Sequence, residues 1–193
     1  MTTSDIYQYG ISLLDQYALL IAIALMALAI VFILLRRSIT NAWLNIKTRY
    51  RLNHLGLKQL YNFQCPDGLG SYYNIDRLIM RHDGISLLVI KRYPGSIFCA
   101  DDINEWSQML AGKSYRFNNP LIELDYQIKA VSAFVPGVQV DGYLFFDHSA
   151  QFPKGHPNRV IYLDNIPEAL ERNKNDKVQP VVESAWKKLG GLR

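Results

Sequence analysis

Two charged side chains on neighbouring apolar runs are the residues of this chain best placed to do chemistry. Asp76 lies in the run Tyr72 to Met80 and Lys91 in the run Ile85 to Arg92, and the turn residues His82-Asp83-Gly84 between them predict a hairpin. A carboxylate near the end of one strand and an ammonium on its hairpin partner can converge on one point at the sheet edge. With Mg²⁺, such a pair suits phosphodiester hydrolysis: the carboxylate holds the ion, and the ammonium orients the attacking water or offsets charge on the phosphate. One carboxylate holds a divalent ion poorly, so this chemistry needs a second acid, usually two residues before the lysine. Val89 occupies that position, and a valine cannot ligate a metal. Glu105, 14 residues after Lys91, and Glu123, on the helix that Pro120 opens, are the possible substitutes. The plainer reading makes Asp76 and Lys91 a cross-strand ion pair, worth under about 1 kcal/mol when exposed, and makes the glutamates solvated surface acids.

Other chemistries find little support. His54, His82, His148 and His156 are scattered, without the spacing of a metal site or a general base. Ser149 lacks the glycines of a nucleophile turn, and Gly68-Leu69-Gly70 is too short to cradle a phosphate. Cys65 and Cys99 are isolated, and read as small buried apolar residues rather than a disulfide or a nucleophile.

The elements that must position Asp76 and Lys91 follow from periodicity. Residues 61 to 71, with Pro66, Gly68 and Gly70, read as a loop. Strands are predicted over 72–80 and 85–92, the second a nearly continuous apolar run suited to a central strand, and a short third strand over 96–99. From Pro120, the spacing of Leu121, Leu124, Ile128, Val131 and Val135 predicts a core-packed helix. A strand over 138–146, broken by Gly142, a loop over 148–158, a strand over 159–163 and helices near 167–173 and 178–189 complete the chain. The sum is an α/β domain with a mixed sheet flanked by helices.

At this point a resemblance emerges. The run Asn74-Ile75-Asp76-Arg77-Leu78-Ile79-Met80, then Asp83-Gly84-Ile85, Val89-Ile90-Lys91 and Gly95-Ser96-Ile97, resembles the nuclease-related domain (NERD) family of the PD-(D/E)XK nuclease-like superfamily. Trp106, Asn119-Pro120-Leu121 and Tyr143-Leu144-Phe145-Phe146 resemble its later landmarks, so the similarity covers roughly residues 49 to 165. The resemblance implies a PD-(D/E)XK-like mixed sheet, with Asp76 and Lys91 at active-site positions and Asp76 as a metal ligand. The departures are specific. Val89 replaces the Glu of the family's Ile-Glu-x-Lys, the opening helix lacks the family's glutamates between Arg49 and Leu60, and Glu123 stands where the family often has glutamine.

Ahead of this domain lies a different kind of sequence. Residues 18 to 35 are 18 consecutive uncharged, almost wholly apolar positions, about 27 Å of helix, close to a bilayer's hydrocarbon thickness. Tyr17 sits where an interfacial aromatic belongs, and Arg36 and Arg37 close the segment. The leading residues carry Asp5 and Asp15 and no Lys or Arg, and arginines stand where a cleavage site would be, so the segment reads as an uncleaved anchor. No acid occurs between Asp15 and Asp67, an interval that holds Arg36, Arg37, Lys47, Arg49, Arg51 and Lys58. These cations predict contact with anionic lipid or nucleic acid. By the positive-inside rule they place residues 1–17 outside and the rest in the cytoplasm of a bacterial-type inner membrane. Ile39, Trp43, Ile46 and Tyr50 recur at helical spacing, predicting a basic amphipathic helix over 36–60, with the α/β domain over 61–193.

The expectation is a single-pass, membrane-anchored NERD-like protein, related to nucleases but impaired or inactive, that binds nucleic acid or a protein partner at the inner membrane. The alternative is an active Mg²⁺-dependent nuclease that uses Asp76 and Lys91 with a relocated acid, Glu105 or Glu123. If active, the chain needs Mg²⁺; otherwise it needs no cofactor. A third expectation makes it a subunit of a membrane complex.

Overall fold

The computed structural model describes residues 3–68, 70–172 and 177–191, with side chains of residues 3–16, 19 and 37 left aside. Arg37's predicted contact therefore lies outside the described side chains. The chain divides into two compact units, residues 1–47 and 48–193.

The first unit is helical. Helix α1 spans Thr3–Asn53, and nothing in the sequence interrupts it, because neither glycine nor proline occurs between Gly10 and Gly56. Within Leu20–Asn53 an 18-residue window reaches a mean hydropathy of 2.5, and none of it is buried. This helix is long and apolar enough to cross a membrane.

The second unit is built on two mixed sheets flanked by helices. Strands β1 (Lys58–Pro66), β2 (Tyr72–Met80), β3 (Gly84–Lys91), β4 (Gly95–Phe98), β5 (Glu105–Leu110), β6 (Lys113–Asn118), β7 (Gln139–Phe146), β8 (Ala150–Gln151) and β9 (Val160–Ile161) are joined by α2 (Pro120–Phe134) and α3 (Pro180–Gly190). One sheet has the order β1-β2-β3-β7-β9 and the other β6-β5-β4-β8. β1, β2 and β3 run antiparallel, whereas β7 joins β3 in parallel through the α2 crossover and β9 joins β7 in parallel.

The apolar run in β3 is buried on both faces. Leu87 and Val89 join Leu121, Leu124 and Val131 of α2 and Val182, Trp186 and Leu189 of α3 in one cluster. Leu88 points the other way, into a cluster with Ile79, Phe145, Ile161 and Leu170 and with Leu52 and Leu55 from the end of α1 and its following turn. A strand sandwiched between helical layers must be apolar at every position, as its sequence is.

The structure differs from the sequence reading at four places. The basic helix ends at Asn53 and not near Leu60, and residues 58–66 form β1 rather than a helix end and loop. Gly56 enforces the reversal. Its φ is +57°, and a Cβ there would meet Ile79 Cγ2 at 2.3 Å and the Met80 carbonyl oxygen at 2.7 Å, so no other residue fits. Lys58 therefore opens a strand, and β1 pairs along β2 from Lys58↔Met80 to Pro66↔Tyr72. Gly142 does not break β7; it lets α2 approach, since a Cβ would lie 2.8 Å from Leu124 Cδ1 and 3.0 Å from Ile128 Cδ1. The β5–β6 hairpin lies in a stretch where no strand was foreseen, turning at Ala111-Gly112, both with positive φ. Near 167–173, only a 3₁₀ turn, Glu168–Leu170, forms among the described residues.

Candidate active site

Asp76 owes its position to a local fault in the β1–β2 ribbon. In a regular strand, residues three apart face opposite ways. Here Leu60 and Phe63 of β1 both pack on the α2 cluster, as do Ile75 and Leu78 of β2. Alternation therefore slips between them, at Asn62 and Asp76. Asn62 has φ +49°, and Asn62–Asp76 is missing from an otherwise continuous register. β3 leaves β2 at the same place, because their ladder runs only from Met80↔Ile85 to Arg77↔Leu88. The freed N–H of Ile90 donates to Asp76 Oδ2 at 2.7 Å. The carboxylate thus does the work of a missing ladder acceptor, in a half-buried setting where leaving that N–H unmet would be costly.

Lys91, the last residue of β3, is paired elsewhere. Its Nζ lies 3.5 Å from Glu123 Oε2, and Glu123 Oε1 accepts a 3.4 Å hydrogen bond from the buried Gln127 Nε2. Helix α2 brings Glu123 there because its start is tightly fixed. Buried Asn119 caps it by accepting from the Leu121 N–H at 2.9 Å, while its Nδ2 donates to the Ile103 carbonyl at 2.8 Å and the Asp101 carbonyl at 3.2 Å. Of the two possible substitute acids, the fold brings Glu123 to Lys91. Glu105 is on the second sheet, 3.8 Å from Arg116 across β5–β6. Val89 is buried among core side chains.

Beside Lys91 and Glu123 opens a cleft of about 570 Å³ whose lining includes Tyr93, Asn104, Phe117, Asn118 and Tyr126. Its aromatic lining comes from Tyr93 in the link before β4, Phe117 on β6 and Tyr126 on α2. Tyr93 and Phe117 stack with centroids 4.5 Å apart, and Phe117 meets the edge of buried Trp106 at 6.2 Å. Trp106 is anchored by an Nε1–H bond to the Ala100 carbonyl at 3.0 Å. Sequence reading missed Phe117 because the hairpin that carries it was not predicted, and Tyr93 and Tyr126 because a shared cleft is set by how the link before β4 and α2 meet. The signal available was Ala111-Gly112 between two alternating runs.

The remaining candidates are the basic residues of the sequence reading. Arg36 and Lys47 are exposed on α1, and Lys47 lies 5.6 Å over the Trp43 ring. Arg49 is exposed; Arg51 forms an ion pair with Glu171; Lys58 is exposed at the start of β1 rather than on a helix. Sequence reading also missed a buried charged cluster at the opposite end of β3. Arg81, 5% exposed, donates to Asp141 Oδ2 at 2.5 Å, and Asp141 also accepts from Ser86 Oγ. Its role is to tie β3 to β7 at the register pair Ser86↔Asp141.

The donor set does not fit Mg²⁺ held between two carboxylates on β2 and β3. Val89 offers no oxygen, one Asp76 oxygen serves Ile90, and Glu123 serves Lys91 and Gln127. Among the described residues, no group of three or more His, Cys, Asp or Glu side chains stands together to hold an ion.

Two mixed sheets flanked by helices, with a carboxylate where β2 and β3 splay and a lysine at the end of β3, define an α/β domain. The nuclease-related domain model matches residues 40–147, more than half of the chain, and the protein belongs to that family. No curated protein and no solved structure matches it.

Proposed function

We propose that this chain is a membrane-anchored member of the nuclease-related domain family in which hydrolysis is impaired and the cleft beside Lys91 binds single-stranded nucleic acid. The observation that carries the loss of hydrolysis is Val89, buried where a second metal-binding acid would stand, with Asp76 and Glu123 engaged by protein groups. Support for binding comes from the cleft's aromatic lining, since base–aromatic stacking contributes about 1–3 kcal/mol per base. Lys91, Lys129 near the Tyr126 ring and Arg116 on the neighbouring hairpin supply cations for a phosphate backbone. The apolar segment followed at once by cations supports a single inner-membrane anchor with the domain in the cytoplasm.

The test is made on the full chain purified in detergent, with labelled single-stranded DNA and RNA and Mg²⁺. Wild type and Asp76→Asn are expected to show equal, background cleavage. Binding is expected to fall roughly tenfold in Tyr126→Ala, the loss of one stacked base, and to weaken with salt. Mg²⁺-dependent cleavage abolished by Asp76→Asn would overturn the impaired reading and favour a working site completed by Glu123. Absence of binding at low salt would remove nucleic acid as the ligand. Release of the chain from membranes by alkaline carbonate would remove the anchor.

A further inference from the structure

In the wall of the cleft, the Glu123 carboxylate stands where an anion is held. Its two oxygens meet donors from two elements: Oε2 lies 3.5 Å from Lys91 Nζ at the end of β3, and Oε1 accepts from Gln127 Nε2 of α2 at 3.4 Å. Among the described residues that line the cleft, Lys91 is the only cation and Glu123 the only acid. The two charges cancel, so a phosphate gains from Lys91 only by taking the place of Glu123.

Gln127 is the less expected member of this group. It is 1% exposed, yet among the described residues its amide makes one hydrogen bond, the long one to Glu123, and its Oε1 makes none. A buried amide that serves stability has its polar groups met, because each unmet one is costly. Its direction follows from chemistry: a carboxylate only accepts, so the amide presents nitrogen to it. A buried N–H donor turned toward a cleft-lining carboxylate, and offset by nothing on its other side, fits a group that serves an anion.

Glu123 is held loosely in that place. Both contacts are longer than the roughly 2.7–2.9 Å of a close charge-assisted bond, and its side chain is 57% exposed against 21% for Lys91. It can turn into water while Lys91 and buried Gln127 stay where they are. A phosphodiester carries the same single negative charge and likewise offers two oxygens, so the exchange leaves the charge of the wall unchanged.

Resting on the nucleic-acid reading above, we infer that Lys91 Nζ and Gln127 Nε2 form a phosphate subsite which Glu123 fills when the cleft is empty, and from which a strand phosphate displaces it. Glu123 is thus a competitor built into the cleft, and it lowers affinity for the strand.

The test titrates wild type, Glu123→Ala and Asp125→Ala, each as the full chain in detergent, with a single-stranded oligonucleotide over a series of salt concentrations. Glu123→Ala vacates the subsite. It is expected to bind up to about fivefold tighter, the worth of one exposed ion pair, and to steepen the slope of log K against log salt by about 0.7, one more phosphate neutralised. Adding Lys91→Gln to Glu123→Ala should cancel both changes. Asp125→Ala removes the same charge from α2 at a residue that pairs with Arg159 and does not line the cleft, and should produce neither. If wild type binds the strand and Glu123→Ala binds no tighter, keeps the same slope, or gains no more than Asp125→Ala, the subsite alone is overturned. If neither wild type nor Glu123→Ala binds at low salt, the nucleic-acid reading and the subsite fall together.

Discussion

At the scale of single residues, Asp76 is most informative because its structural work and its chemical potential can be separated. Its carboxylate accepts the Ile90 N–H, so Asp76→Ala leaves that donor unmet and is expected to destabilise the domain by about 1–3 kcal/mol. Asp76→Asn keeps an acceptor and should cost clearly less, readable as the shift in urea midpoint. Equal stability of wild type and Asp76→Ala would show that the hydrogen bond carries no weight. Glu123 differs, because its side chain is 57% exposed: breaking an exposed ion pair is worth under about 1 kcal/mol, so Glu123→Gln should leave the midpoint nearly unchanged. Cys99 adds a pH dependence. Burial, with Asp101 nearby, pushes its thiol up to about 11 from the 9.0 of a free thiol. It should resist alkylation near neutral pH, where the thiolate is scarce. The linkage sign follows from the raised value: the folded chain holds this proton more tightly than the unfolded one. Cys99's contribution to stability is therefore complete below about pH 9 and lost as pH climbs toward about 11. Cys99→Ser should flatten the alkaline limb of a melting-temperature profile; an unchanged limb would contradict the assignment.

Between residue and molecule, the decisive element is α2, which covers the sheet and delivers Glu123 to Lys91. Two features hold it. Gly142 allows close approach to β7, where a methyl group would press on Leu124 and Ile128. Gly142→Ala is expected to cost about 1–3 kcal/mol through overpacking, measured by chemical denaturation; a neutral result would mean that the helix can lift away freely. Asn119 caps the helix and ties its start to the loop before β5. Asn119→Ala should cost at least about 1–2 kcal/mol for the lost cap. It should also weaken oligonucleotide binding, since the cap sits in the cleft lining. Loss of stability without loss of binding would separate the helix start from the cleft.

For the whole molecule, the division into residues 1–47 and 48–193 predicts independent behaviour. The second unit has its own two-sided core, including Leu52 and Leu55. A fragment of residues 48–193 is expected to remain in solution without detergent and to unfold cooperatively, checked by circular dichroism during a urea titration. A fragment beginning at Leu57 would lose Leu52, Leu55 and the Gly56 turn, and should be markedly less stable. If both fragments behaved alike, the end of α1 would not belong to the domain core. The same division bears on function, because the cleft lies wholly within the second unit.

What the sequence determined by itself is what depends on short-range pattern. An uninterrupted apolar run followed by arginines defined the long helix, because length and charge cost are local quantities. The apolar run 85–92, the Pro120 helix and the mixed α/β class were equally legible, as was the family, carried by short motifs in order from Asn74 to Phe146. Tertiary structure decided the rest, because it depended on partners distant in the chain. Polar-looking residues 58–66 became a strand only because β2 was there to pair with them and Gly56 could take a conformation that other residues avoid. Gly142, which looked like a break, was a point of helix contact. The partner of Lys91 proved to be Glu123, 32 positions later, and that of Asp76 a backbone N–H across a splayed ladder. Neither can be read from spacing, because a side chain's partner is set by which strands and helices meet, and two faults in alternation determined where this one points.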